Sequence, residues 1–115
     1  MTPFGQKIRK IREERNITLK DMATHLQLSS SYLSALEHGR RGKPSQTIVH
    51  RICAYFNIIW DDAEELQQLA KLSHPKVTVD TSGLSAEATE LANKLARDIR
   101  KLDRDTLKDM LKLLD

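Results

Sequence analysis

At 115 residues, with 39% apolar and 30% charged side chains and only four Gly and three Pro, the chain suits one small helical domain with an appended element, not a disordered segment. Its five aromatics, Phe4, Tyr32, Tyr55, Phe56 and Trp60, are too few for a surface that stacks single-stranded bases. The net charge of +3 is split unevenly: residues 1–58 carry ten Lys/Arg against four Asp/Glu, and residues 59–115 carry nine against twelve.

The basic half suits a polyanionic partner and the acidic half does not. The single cysteine, Cys53, precludes an internal disulfide framework and sits on an apolar helix face, where a buried thiol in a reducing cytosol is expected. No apolar run reaches the roughly 18–20 residues of a membrane span, and no signal-peptide pattern opens the chain. A cytoplasmic protein with no membrane association is expected.

In chain order, Thr2-Pro3 predicts an N-cap and first helical position, followed by Phe4, Ile8 and Ile11 at helical spacing up to a stop near Asn16. Thr18 and Asp21 form a capping-box pair for a second helix that turns Met22, Ala23 and Leu26 inward. Ser29 caps a third helix anchored by Leu33 and Leu36 and ended at Gly39. Pro44-Ser45 opens a fourth, with Ile48, Val49, Ile52, Cys53 and Phe56 on its inner face. A second capping-box pair, Asp61 and Glu64, predicts a fifth helix using Leu66, Leu69 and Ala70 and running to about Ser73.

Composition changes at His74-Pro75, and residues 74–84 read as a linker whose alternating β-branched side chains suit a short edge strand at Val77–Val79. Ser85 caps a sixth helix with Leu91, Leu95 and Ile99 at i, i+4, i+8 beside Ala88, Ala92 and Ala96. Asp103 starts a seventh, with Leu107, Met110, Leu111 and Leu114. The expected organisation is all-α: a five-helix domain over residues 1–73, the linker, and a helical hairpin over residues 85–115.

The stretch Thr18 to Pro44 carries the functional signal. Two short amphipathic helices meet at a tight turn, and the second presents short hydroxyl side chains beside the basic loop Arg40-Arg41-Gly42-Lys43. Small polar side chains delivered beside clustered cations suit entry into a DNA major groove. Ile8, Arg12, Ile17-Thr18, Met22-Ala23, Leu26, Leu28-Ser29, Leu33-Ser34, Leu36-Glu37-His38-Gly39, Arg40 and Pro44 recur in order with the right gaps. In this the chain resembles the phage repressor/Cro-like, or Xre-type, helix-turn-helix family over roughly residues 4–60.

The resemblance implies a lambda-repressor-like fold that binds double-stranded DNA and regulates transcription, most simply as a repressor on a palindromic operator. It places Ser30, Ser31, Ser34 and Ala35 at base edges. It places Lys20, Ser29, Tyr32, Arg40, Arg41 and Lys43 along the backbone, with Tyr32 also in reach of a thymine methyl, and pairs Arg12 with Glu37 across helices. Serine both donates and accepts, so this surface codes weakly, and affinity would rest on phosphate contacts, water and DNA shape. The chain departs from the family pattern twice. Gln27 stands where the turn usually holds glycine, and Leu19 where a phosphate-binding glutamine is common.

One such domain reads one half-site, so a dimer is expected. Leu91, Leu95, Ile99, Leu107, Met110, Leu111 and Leu114 form the candidate interface, two hairpins making a four-helix bundle. No cofactor or metal is expected: His25, His38, His50 and His74 show no ligand spacing, and no phosphate-binding glycine loop or nucleophile elbow is present, so no enzyme is expected. The rival reading is an antitoxin or other interaction module whose C-terminal helices hold a partner protein of unknown identity.

Overall fold

A computed structural model describes residues 1–115. Seven α-helices run in the order α1 (Pro3–Glu14), α2 (Leu19–Leu26), α3 (Ser30–His38), α4 (Gln46–Phe56), α5 (Trp60–Lys71), α6 (Ala86–Asp98) and α7 (Arg104–Leu113). A 3-10 turn, Ile99–Lys101, follows α6, and there is no strand. No helix is long and apolar enough to cross a membrane. The fold is all-α, and it divides into two units, Met1–Val77 and Thr78–Asp115.

In the first unit the first four helices start where a hydroxyl can accept an otherwise unpaired N–H. Thr2 accepts from Gly5, Thr18 from Asp21, Ser29 from Tyr32 and Ser45 from Ile48, at 3.0–3.2 Å. Left-handed residues then turn the chain: Asn16 after α1, Gln27 after α2, Gly39 after α3 and Asn57 after α4. The helices pack α1 on α3 and α5, α2 on α3 and α4, and α4 on α5. Their shared core is Phe4, Ile8, Met22, Leu33, Leu36, Ile52, Phe56 and Leu66, all buried. Each such side chain contributes about 1.5–3 kcal/mol by leaving water.

At the α1–α3 crossing the two backbones come close. Gly5 faces the α3 backbone so closely that an added Cβ would lie 1.9 Å from the Glu37 carbonyl oxygen. The Thr2 N–H donates to that same carbonyl at 3.1 Å. Ser73, just beyond α5, accepts from the Phe4 N–H at 2.9 Å and donates to the Leu69 carbonyl at 2.6 Å. Pro3 has no N–H, so the start of α1 leaves no buried donor unpaired.

Several sequence expectations need correcting here. Helix α5 starts at Trp60, and its N-cap position is Ile59, which makes no side-chain capping bond. Only Asn57–Ile59 join α4 to α5, too few to leave Asp61 outside the helix as a cap. Asp61 and Asp62 instead sit in the first turn, where their charge favours the positive helix end. Trp60 has φ +56°, uncommon for a bulky residue, and is 83% exposed. At α2 only half of the expected capping box forms, since Thr18 accepts from Asp21 but no return bond is made. Helix α5 ends at Lys71 and Ser73 lies outside it.

Residues 77–79, at the boundary of the two units, pair with no strand, although their backbone is not helical. Ser85 caps α6 by accepting from Ala88, and Asp103 caps α7 by accepting from Thr106 at 2.8 Å. That bond holds the Asp103 carboxyl below the usual carboxylate range. Ile99 belongs to the 3-10 turn instead of α6, and Leu114 lies one residue past α7. No side chain of these helices is buried. Leu91, Ile99, Leu111 and Leu114 are exposed, and Leu95, Leu107 and Met110 are half-buried.

Candidate nucleic-acid interface

The α2–α3 turn is built by residues 27–29. Gln27 adopts φ 58°, ψ 40°, and its N–H and that of Leu28 return to the Thr24 and Ala23 carbonyls at 3.1 and 2.9 Å. The Arg51 guanidinium of α4 donates to the Leu26 carbonyl, satisfying another free acceptor at the end of α2. Ala23, 2% exposed, lets the helices cross closely. The turn therefore fixes the direction of α3 against α2 without glycine.

Arg12 and Glu37 reinforce that direction from below. The guanidinium meets both carboxylate oxygens at 3.1–3.4 Å, and its third nitrogen donates to the Ile17 carbonyl at 3.4 Å. Both side chains are nearly inaccessible, and such a buried pair fixes orientation more than it adds net stability.

Helix α3 buries Leu33, Leu36 and Glu37. Its helical period then turns Ser31, Ala35 and His38 outward, with Ser30 and Ser34 on one flank and Tyr32 on the other. Ser30 and Ser31 are exposed, whereas Ser34, Ala35 and Tyr32 are half-buried. Ser29 is exposed, but its hydroxyl is engaged as the cap of α3. His38, which the family pattern gives no DNA contact, lies seven residues from Ser31 and so on the same face. Its Nδ1 lies 2.8 Å from the Ser34 carbonyl, so Nδ1 carries the proton in that bond and Nε2 is left for a ligand.

After Gly39 (φ 80°) the chain reverses, and Gly42 (φ 77°) turns it again before the buried Pro44. Arg40, Arg41 and Lys43 are all exposed on this loop. The Arg41 guanidinium lies 5.7 Å from the centroid of the Tyr32 ring. Beyond the loop, the start of α4 opens onto a shallow cavity of about 400 Å3 between Lys43, Gln46, Gln67 and Lys71. Of these the sequence reading named only Lys43, because α5 approaches α4 only in three dimensions. Lys20 is exposed in the first turn of α2, while its neighbour Leu19 packs on the core and is not a phosphate ligand.

No three His, Cys, Asp or Glu side chains converge on a common point. Cys53 is buried, and burial pushes its thiol pKa up, so it is not poised as a thiolate.

Two packed helices joined by a fixed turn, with exposed serines on the second and cations at its end, define a helix-turn-helix protein. The helix-turn-helix domain family matches residues 5–72, and the chain belongs to that family. It is 31% identical over 62 residues to RghRB of Bacillus subtilis (strain 168), an uncharacterized HTH-type transcriptional regulator; the alignment covers 54% of this chain and 45% of that protein. It is 26% identical over 117 residues to RghR of the same organism, an HTH-type transcriptional repressor, across 98% of this chain and 87% of the relative. The chain thus spans less than half of the first relative and most of the second. No solved structure matches it.

Proposed function

We propose that this protein is a cytoplasmic regulator of transcription of the Xre-like kind, which binds double-stranded DNA and represses from a palindromic operator as a homodimer. The observation that carries this reading is the outer face of α3. Short polar side chains at Ser30, Ser31 and Ser34, with Ala35, stand above a loop with three unpaired cations. Ser30, Ser31, Ser34 and Ala35 meet base edges, while Lys20, Ser29, Arg40, Arg41 and Lys43 follow the backbone, with Tyr32 joining them through its contact with Arg41. The name of RghR supports repression as the direction of control.

Dimerisation rests on the second unit. Its 38 residues bury no helix side chain, and a piece of that size needs a partner to form a core. A second copy supplies one through Leu91, Leu95, Ile99, Leu107, Met110, Leu111 and Leu114. The same exposed leucines favour the second reading, in which these helices hold a different protein.

The test is binding of the full chain to a mixed-sequence duplex across a range of salt concentrations. Arg41→Ala should weaken binding to every sequence and lower the slope of log affinity against log salt by about one. A loss confined to one sequence, with the slope unaltered, would contradict a backbone role.

A further inference from the structure

We propose that Tyr32 is a positioning residue: its ring holds the Arg41 guanidinium beside α3, so that this cation meets DNA already ordered. The inference rests on the DNA-binding reading above and extends it to how the cation is presented.

Three features of the loop support it. The two left-handed glycines, Gly39 and Gly42, bracket residues 40 and 41, and the Arg41 side chain reaches back to the third residue of α3. There its guanidinium lies within 5.7 Å of the Tyr32 centroid, inside the range at which a cation is attracted to an aromatic face. No carboxylate pairs with Arg41, so its charge remains available to a phosphate. Tyr32 is itself held: it is half-buried, and its N–H is bound by the Ser29 hydroxyl at 3.0 Å. Arg40 has no ring or carboxylate partner.

The physical gain is entropic. A free arginine has many rotamers, and fixing it on binding offsets part of its attraction to DNA. Stacking on a ring removes part of that freedom beforehand while leaving the N–H edge of the guanidinium open for an oxyanion.

The experiment is a double-variant cycle on the full chain, read by fluorescence anisotropy on a mixed-sequence duplex. Tyr32→Ala should weaken binding about two- to fivefold, the range of an exposed cation–π contact. It should leave the salt slope unchanged, because the number of cations is the same. Tyr32→Phe, which keeps the ring face, should lose less than Tyr32→Ala, and in an Arg41→Ala background Tyr32→Ala should add nothing. Should Tyr32→Ala fail to fold by circular dichroism, Tyr32→Leu fills the same space without a ring face and replaces it.

A Tyr32→Phe loss as large as that of Tyr32→Ala would overturn the proposal, because the hydroxyl would then be the contact. Losses that multiply in the double variant would overturn it too, because each side chain would be acting on DNA by itself. A parent protein with no salt-dependent binding would remove the DNA-binding reading instead, and the proposal with it.

Discussion

Gln27 sits in a backbone conformation that L-residues with a Cβ visit at a cost of about 1–2 kcal/mol. Its side chain is exposed, so nothing in the core depends on its identity. Glycine would remove the strain but lose more entropy on folding, and the balance favours the change by about 0.5 kcal/mol. Gln27→Gly should therefore raise the melting temperature by a degree or more in circular dichroism, whereas Gln27→Ala, which keeps the Cβ, should not. A lower value for the glycine variant would mean that the side chain stabilises the turn. The strain is legible in the sequence only because the family pattern marks that position. At Trp60, also at positive φ, no turn residue or motif marks the site, and periodicity carries no information about φ.

Among elements, the α1–α3 crossing decides where α3 points. Phe4, Ile8, Leu33 and Leu36 are readable from spacing alone because each helix shows its own apolar stripe. Gly5 and Ser73 are not readable, because their partners lie 32 and 69 residues away, the Gly5 neighbour is a main-chain carbonyl, and a pattern along one helix says nothing about the other. The outward serines and the cationic loop are equally plain in the chain. His38 and the Arg41–Tyr32 contact emerge only once Gly39 and Gly42 set the path of the loop. Replacing Gly5 with alanine would force a Cβ against the Glu37 carbonyl, with backbone on both sides and no flexible side chain to give way. The helices must separate, which also pulls on the Thr2 hydrogen bond and the Arg12–Glu37 pair. Gly5→Ala should cost about 3 kcal/mol or more and lower the melting temperature sharply, while Gln6→Ala on the exposed side of α1 should change it little. An unchanged melt for Gly5→Ala would mean that α1 tolerates a different seat on α3.

At the scale of the whole molecule, the two units have opposite needs. The first, Met1–Val77, contains every buried apolar side chain. The second exposes Leu91, Ile99, Leu111, Leu113 and Leu114, a large apolar surface for a small helical piece. If two copies cover that surface, the full chain should be a dimer in light scattering after size exclusion, and a fragment ending at Val77 should be a folded monomer. The fragment should also bind duplex DNA more weakly, since a single half-site is engaged at a time and the gain from tethering two domains is lost. A dimeric fragment would move the interface into the first unit, where Ile59, Trp60 and Leu72 are exposed apolar side chains. A monomeric full chain would instead favour a foreign protein as the cover for α6 and α7. In that case an isolated Thr78–Asp115 peptide would remain unfolded at any concentration, because copies of itself would give its leucines no core. For a self-associating pair of helices its helicity should rise with peptide concentration, and circular dichroism over a dilution series separates the two.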